Sequence, residues 1–484
     1  MGYVFNEDLQ NAFVDVSDNI YSNLAVQLFN NQSSFVNIKI QFGTQSIRNG
    51  QLITNSKVIT INTMNVLSKS GCQLTVMNGQ LNIITQLNSN QTQINDLMIN
   101  LSFQMSLGNI TLINQISGQM ILQNYQILGT YLSQGCIALL SLNTYQANIT
   151  ATNINIIPYQ FNSGNISSYL LSYVVQCSIS LNSISIIIGN ISQTSILNQI
   201  STNNASQLQF GGIVQYLTTT SIKLLAIIVE CYQQLNSQYI RQSGLLIGKS
   251  QYINDISISN LCVLQIIQGY NTKFIDYLGV VGLAEGIIKI QQSSVTFNYN
   301  ATNFNGIGNI IGYTTANCTK SEIINLISTI NVIINLNLAN NYGAISALIG
   351  DQYSFKCSFS NTIVKNCNIS CLTFCGGMIG HQFNSTVILE SSIVYNCNIS
   401  SNQKGSGGVF GYSNNANIII NNLTLQFIHL TCPNNLGMIL GYQLSPTSNT
   451  LVATNSISKG ANYVNFVQIS NCVDLMNAQT ITGC

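Results

Sequence analysis

Asp351 and His381 are the residues whose types and spacing could support catalysis. They lie one repeat apart, each directly after a glycine that closes a short apolar segment. If these segments stack, the carboxylate would neighbour the imidazole and could orient it as a general base. Other copies carry Lys249, Leu283, Tyr313, Tyr412 and Tyr442 at this position. Such variation indicates an exposed surface column, so we predict no catalytic residue.

Cysteine and histidine are the residues that could bind a metal. Cys367, Cys371 and Cys375 follow one another at four-residue steps, which would align them on one face of a helix. Cys367 lies in a strand pattern, however, so a thiol column or a local disulfide is favoured. Cys367 and Cys397 could stack as small buried residues or be bridged. His429 lies in LQFIHLTC and is interpreted as a strand residue, and we predict no metal and no cofactor.

Enzymes that cleave polysaccharides on β-helices need two or three carboxylates close together, or a calcium site with a basic proton acceptor. No two carboxylates between residues 210 and 445 share an evident column, and Arg241 is the only arginine there. The carboxylates are Glu230, Asp255, Asp276, Glu285, Glu322, Asp351 and Glu390. This distribution argues against glycosidic cleavage.

Tyrosines follow the closing glycine in three copies, at Tyr313, Tyr412 and Tyr442, and Tyr216 occurs in a diverged first copy. Their rings could form a flat strip on which a sugar or a partner stacks. The simpler interpretation, which we favour, is that they cover a corner of the fold.

The short apolar segments that carry these residues recur through the second half of the chain. They read SGLLIG, LGVVG, GNIIG, SALIG, GGMIG, GGVFG and GMILG, after the diverged copy FGGIVQY at Phe210. The closing glycines are Gly248, Gly282, Gly312, Gly350, Gly380, Gly411 and Gly441, at spacings of 34, 30, 38, 30, 31 and 30 residues. We predict that each lies at a tight corner that needs a positive φ or a close backbone approach.

Alternating segments such as TVILESSIVYNCNIS (386–400) follow the closing glycines, and a period of two indicates strands. Asn366 and Asn396 occur at one offset from their glycines, so equivalent residues must stack. Each repeat is too short to bury its own apolar face, so adjacent copies must cover it. Asparagines can hydrogen-bond along a column, whereas charges would repel. The sequence therefore predicts an all-β protein, a parallel β-helix with coils of about 30 residues.

The glycine-closed strand followed by IVKNCNIS or IVYNCNIS resembles the GLUG-type repeat of adhesin-like β-helical surface proteins. The resemblance covers residues 211–444, and departures occur in the insertion after Gly312 and at Gln215, where glycine is expected. It implies a non-enzymatic adhesive or structural surface, on a cell or secreted, with a surface glycan or protein as partner. The alternative is a carbohydrate-active β-helix that binds or cleaves polysaccharide.

The remaining regions lack the regular glycine. Residues 1–35 carry apolar residues at three- and four-residue steps, which predicts a capping helix; these are Leu9, Phe13, Val16, Ile20, Leu24 and Leu28. The alternative is an irregular strand pair through Val14 and Val16. Residues 36–205 predict either degenerate coils of the same helix or a separate β-sandwich or jelly roll over 36–130. Residues 206–445 are the glycine-closed coils, and residues 446–484 are expected to form closing cap strands.

Composition limits the partners. The 14 basic and 13 acidic residues of the 484 give a net charge of +1, which provides no electrostatic footprint for nucleic acid. Only 6% of residues are charged, so amides and hydroxyls must wet the surface. No apolar run approaches the roughly 20 residues that span a bilayer, and no secretion signal is visible near the first residue. We predict no nucleic-acid partner and no transmembrane segment.

Overall fold

A computed structural model describes the protein. It covers residues 9–10, 13–16, 25–29, 34–43, 45–47, 49–53, 60–70, 72, 74–76, 80–106, 109–133, 136–162, 166–188, 198–201, 209–236, 239–240, 243–252, 254–269, 274–301, 304–334, 343–353, 356–444, 450–459 and 462–464. The chain divides into two compact units, Met1–Ser237 and Gln238–Cys484. The predicted fold is confirmed: the chain is all-β and forms a parallel β-solenoid with coils about 31 residues long.

The strands of the first unit include three of 25 to 27 residues between residues 80 and 162, with shorter strands before and after them. They are Leu9–Gln10, Phe13–Val16, Ala25–Phe29, Ser34–Phe42, Gln45–Ile47, Asn49–Ile53, Thr60–Ser68, Leu74–Val76, Gln80–Ser106, Asn109–Ser133, Ile137–Asn162, Ile166–Ser168, Leu171–Val175, Ser178–Ile188, Asn198–Ser201, Gln209–Gly211, Val214–Thr218 and Ser221–Asn236.

The strands of the second unit become short and regular from residue 344. They are Tyr239–Ile240, Ser243–Gln251, Asp255–Gly269, Phe274–Ala301, Phe304–Gly308, Ile311–Ile334, Ala344–Ser346, Ile349–Tyr353, Lys356–Ser360, Ile363–Lys365, Asn368–Cys371, Phe374–Gly376, Ile379–Phe383, Thr386–Glu390, Ile393–Ser401, Gly405–Gly407, Phe410–Asn414, Asn417–Asn421, Thr424–Thr431, Leu436–Gly437, Leu440–Gln443, Thr450–Thr454, Ile457–Lys459 and Asn462–Val464.

The alternating sequence explains the core of a coil. In Thr386–Glu390, Val387 and Leu389 point inward and are fully buried, while their neighbours in the strand face outward. Each strand pairs in parallel with its equivalent one coil away, so Val387 lies over Cys357 and Ile418 lies over Val387. Apolar side chains of adjacent coils therefore cover one another, which no single repeat could achieve.

Asparagine, rather than glycine, takes the left-handed corners. Of the 23 non-glycine residues with positive φ among those described, 12 are asparagines. Asparagine tolerates this region because its short side chain can hydrogen-bond locally. Adjacent corners are linked, since Asn396 Nδ2 donates to Asn366 Oδ1 at 2.9 Å and Asn153 Nδ2 donates to Asn124 Oδ1 at 2.6 Å. The predicted hydrogen bonding along asparagine columns is confirmed at these corners.

The other predicted role, close backbone approach, is found at Gly282, Gly312, Gly350, Gly380, Gly411 and Gly441. The described glycines with positive φ are Gly118, Gly129 and Gly286, so no closing glycine belongs to this set. A bend separates Phe374–Gly376 from Ile379–Phe383, and a Cβ on Gly376 would lie 1.9 Å from the carbonyl oxygen of Ile379. A Cβ on Gly380 would lie 2.7 Å from the carbonyl oxygen of Gly350, closer than Cβ atoms approach backbone. Only glycine fits at this separation.

The predicted N-terminal capping helix is wrong for the described residues. Leu9–Gln10, Phe13–Val16 and Ala25–Phe29 are strands, and Phe13–Val16 pairs in parallel with Lys39–Phe42. The edge of a neighbouring coil has backbone N–H and C=O groups that need hydrogen-bond partners. Pairing with this edge outweighs the helical spacing of the apolar residues. Ile20 and Leu24 lie outside the described residues. No helix in the described ranges is long and apolar enough to cross a membrane.

The described residues between 36 and 188 are stacked as coils as well. Ile94 lies over Ile61 and Leu122 lies over Ile94, and the described pairings in this stretch are parallel throughout. A β-sandwich or jelly roll would bring antiparallel strands together instead. Thr450–Thr454 and Ile457–Lys459 likewise pair in parallel with the coil before them. The domain boundaries at 205/206 and 445/446 stay predictions, and residues 465–484 lie outside the described residues.

Candidate functional site

The closing strands, which contain the closing glycines, bring the predicted surface residues into one row. Tyr313 pairs with Asp351, Asp351 with His381, His381 with Tyr412, and Tyr412 with Tyr442. We call these five residues the outer column. Thr314, Gln352, Gln382 and Ser413, the residues that follow the first four, are fully buried, so strand alternation points the outer-column side chains away from the core, and Tyr412 is nevertheless only 7% exposed. The predicted neighbour relation of Asp351 and His381 is therefore confirmed.

Asp351 and His381 form the polar centre of the outer column. Their Oδ1 and Nδ1 atoms lie 2.6 Å apart, and the side chains are 23% and 26% exposed. This contact fixes the orientation of the imidazole, as a carboxylate does for a general base. A nucleophile or a second carboxylate would have to complete such a site. Within the described residues, no three His, Cys, Asp or Glu side chains come together.

The aromatic rings of the outer column stack mainly on one another. The ring centroids of His381 and Tyr412 lie 4.5 Å apart at an interplanar angle of 20°, and those of Tyr412 and Tyr442 lie 5.6 Å apart at 28°. Tyr313 stacks at 4.4 Å on Tyr277. Rings stacked along the solenoid axis cover each other's faces, so mainly their edges meet solvent. This geometry favours the predicted covering role over a flat platform for sugars.

Phe374 extends this aromatic cluster and was missed by the sequence analysis. Its ring lies 4.6 Å from Tyr412, and Lys404 Nζ lies 5.4 Å from its centroid, a cation–π contact. Phe374 pairs with Ala344 on one side and Gly405 on the other, whose small size leaves room for the ring. The sequence contains a signal for this packing. Ala344, Phe374 and Gly405 each precede their closing glycine by six residues, so the ring of Phe374 is expected to lie between two small residues.

Glu285 is a second residue that sequence reasoning did not single out. It is 6% exposed, accepts the backbone N–H of Tyr252 at 2.6 Å, and accepts the hydroxyl of Thr315 at 3.0 Å. Burial, assisted by the charges of Asp351 and Glu285, raises the pKa of Tyr313 to about 12. The carboxylate is satisfied by its hydrogen bonds, so it supports neighbouring coils rather than facing a ligand.

The cysteines follow the predicted alternatives. Cys371 and Cys375 form a local disulfide. Cys367 and Cys397 are buried thiols outside any disulfide that lie on adjacent coils, and a hydrogen bond with Cys367 lowers the pKa of Cys397. His429 lies in the strand Thr424–Thr431 and pairs with Asn398.

Tyr216 belongs to the first unit, where it pairs with Tyr173 at a ring-centroid distance of 6.0 Å.

Comparison with known proteins identified no relative of this chain. No family model, no curated protein and no solved structure matches this chain.

Proposed function

We propose that this protein is a non-enzymatic repeat scaffold whose solenoid surface works in adhesion or as a structural surface. The observation that carries the proposal is that polar side chains at the corners and in the outer column contact their equivalents on adjacent coils. Asn366 bonds to Asn396, and Asp351 contacts His381. Such ladders stiffen the stack and leave a nearly uncharged surface, since only 6% of residues carry charge. The resemblance to GLUG-type adhesin-like proteins supports the same role.

The rival function is a carbohydrate-active β-helix, and one observation favours it. The 2.6 Å contact between Asp351 and His381 would suit a general base at a partly exposed position. Against it stands the stacking of His381 on Tyr412, which places an aromatic ring against one face of the imidazole. The scaffold accounts for both contacts as packing between coils.

Two parallel assays on the full chain distinguish these functions. The first measures release of reducing or unsaturated ends from a panel of neutral and acidic polysaccharides. The second measures retention of the chain on cells and on glycan or protein-coated surfaces. We expect retention without release of ends. Release that disappears in Asp351→Asn or His381→Gln, with unchanged circular dichroism, would establish the enzyme instead.

A further inference from the structure

An open groove on the first unit has the chemistry of a carbohydrate site. It has a volume of about 730 Å³ and is lined by corner and strand residues of successive coils, among them Gly118, Gln146, Gln176 and Thr219. We call it the amide groove. Its volume lies within the range of small-molecule sites, roughly 300–1,000 Å³.

The lining mixes polar and apolar surface and contains no charged side chain. Gln119, Asn148, Ser178 and Ser221 form one row, because each pairs with the next on the adjacent strand. All four are exposed. A primary amide offers two donors and an acceptor, and a hydroxyl offers both roles. A row of such groups matches the alternating donors and acceptors of vicinal hydroxyls.

The corner glutamines hold the groove in shape. Gln146 and Gln176 have φ values of 48° and 55°, and Gln146 Nε2 donates to Gln176 Oε1 at 3.2 Å. The groove floor is packed, since Ala147 and Cys177 are buried beneath them. Cys177 contacts the carbonyl oxygens of Thr144 and Val175, which ties the floor to the neighbouring strands. The polar groups are therefore presented on a firm surface.

Tyr145 is the sequence neighbour of the groove-lining Gln146, and its own ring does not belong to the groove lining. It directly precedes Gln146 and is 40% exposed, and its hydroxyl lies 3.5 Å from Asn143 Oδ1. Among the described residues no ring is stacked on it, in contrast to the rings of the outer column. Ring faces accept the apolar C–H face of a sugar, whereas amides bond its hydroxyls.

We propose that the amide groove binds a neutral oligosaccharide segment lying along the stacked coils, with Tyr145 against a sugar face and the Gln146–Gln176 rung bonded to hydroxyls. An anionic glycan would need a cation, and the lining contains none. The proposal rests on the proposed function, because it names the partner of a non-catalytic surface. A shallow polar site predicts a dissociation constant on the order of millimolar.

The test uses the full chain and a panel of cellulose-, laminarin-, mannan- and chitin-derived oligosaccharides, with polygalacturonate fragments and an uncharged extended peptide as comparators. Binding is followed by calorimetry and by saturation-transfer NMR. The double variant Gln146→Gly/Gln176→Gly removes the rung while glycine keeps the positive φ, so folding should survive. We expect binding to weaken roughly tenfold. Tyr145→Ala should weaken it as well, whereas Tyr145→Phe should retain it.

Asn396→Gly is the matched control, because it removes a rung of the same kind at a corner of the second unit. Binding should be unchanged in it. Equal binding by the double variant and the wild type would refute the site. Stronger binding of polygalacturonate or of the peptide would refute the ligand class. Failure to bind any oligosaccharide, with retention on protein-coated surfaces intact, would overturn the inference and leave the scaffold function standing.

Discussion

Replacing Gly411 by alanine tests whether coils are held by backbone contact at the closing strands. The new Cβ would lie 2.5 Å from the carbonyl oxygen of Gly380 and 2.7 Å from the carbonyl carbon of Cys375. Ordinary contact begins at 3.4 Å, so the two coils must separate by 3.4 − 2.5 = 0.9 Å at this point. The φ of Gly411 is not positive, so alanine is sterically excluded only by these neighbours.

The cost follows from the hydrogen bonds that this separation would stretch. The N–H groups of Met378 and Ile379 both donate to the carbonyl oxygen of Val409, at 2.9 and 3.0 Å. A further 0.9 Å would take both beyond bonding distance. Two lost bonds cost about 2 kcal/mol, and overpacking adds about 1–3 kcal/mol. The reduced entropy of the unfolded chain returns about 0.4–1 kcal/mol, which leaves a net loss of about 2–5 kcal/mol.

Gly405→Ala is the control, because its nearest neighbours are Tyr442 Cβ at 2.9 Å and the Gly411 carbonyl oxygen at 3.0 Å. A shift of 3.4 − 2.9 = 0.5 Å suffices there, and Phe374 must also adjust because it pairs with Gly405, so we expect a loss of about 1–2 kcal/mol, smaller than that of Gly411→Ala. Urea unfolding followed by circular dichroism gives the overall change. Hydrogen exchange over residues 374–383 and 405–411 locates it, since repeat proteins can open coil by coil. A Gly411→Ala chain with the wild-type midpoint and wild-type exchange would refute the steric reasoning.

Three further predictions concern single side chains. The pKa of Tyr313 is raised to about 12 in the folded protein. Between pH 10 and 12 this tyrosine therefore ionises in the unfolded chain before it ionises in the folded one, and the free energy of unfolding falls. Tyr313→Phe should make this decline less steep in urea titrations repeated across that pH range. Phe427 has φ 54° at the position above Asn396 and is half exposed, so Phe427→Asn should stabilise the protein by about 1 kcal/mol, and a lower melting temperature would contradict this. Cys262 is exposed whereas burial raises the pKa of Cys357, so an alkylating reagent should label Cys262 in the native state and Cys357 only after unfolding, as mass spectrometry of the digested chain would show.

Much of the fold was predictable because a solenoid is specified locally and repetitively. The spacing of Gly350, Gly380 and Gly411 gives the coil length, and the alternation around Val387 gives the strand and its buried face. The same offsets bring Asp351 beside His381, and the measured register agrees. Stacking converts sequence offset into spatial contact, so these neighbours follow without long-range information.

The N-terminal strands were not predictable in this way. Phe13 and Val16 belong to a series of apolar residues spaced as in a helix, yet the backbone of Phe13–Val16 pairs as a strand with Lys39–Phe42. The strand is stabilised by backbone hydrogen bonds to a strand of the neighbouring coil, and no local sequence pattern encodes that pairing. Phe374 was missed for a related reason, since its importance depends on the small residues Ala344 and Gly405 on either side of it.

The sequence by itself determined the period, the stacked columns and the scarcity of charge, because each is a property of residue types at fixed offsets. Only the tertiary structure decided what the columns present to solvent. It stacks His381 and Tyr412 face to face, and it leaves the ring of Tyr145 half exposed beside Gln146. Ring orientation depends on the volume and contacts of neighbouring side chains, and these are fixed only when the coils pack.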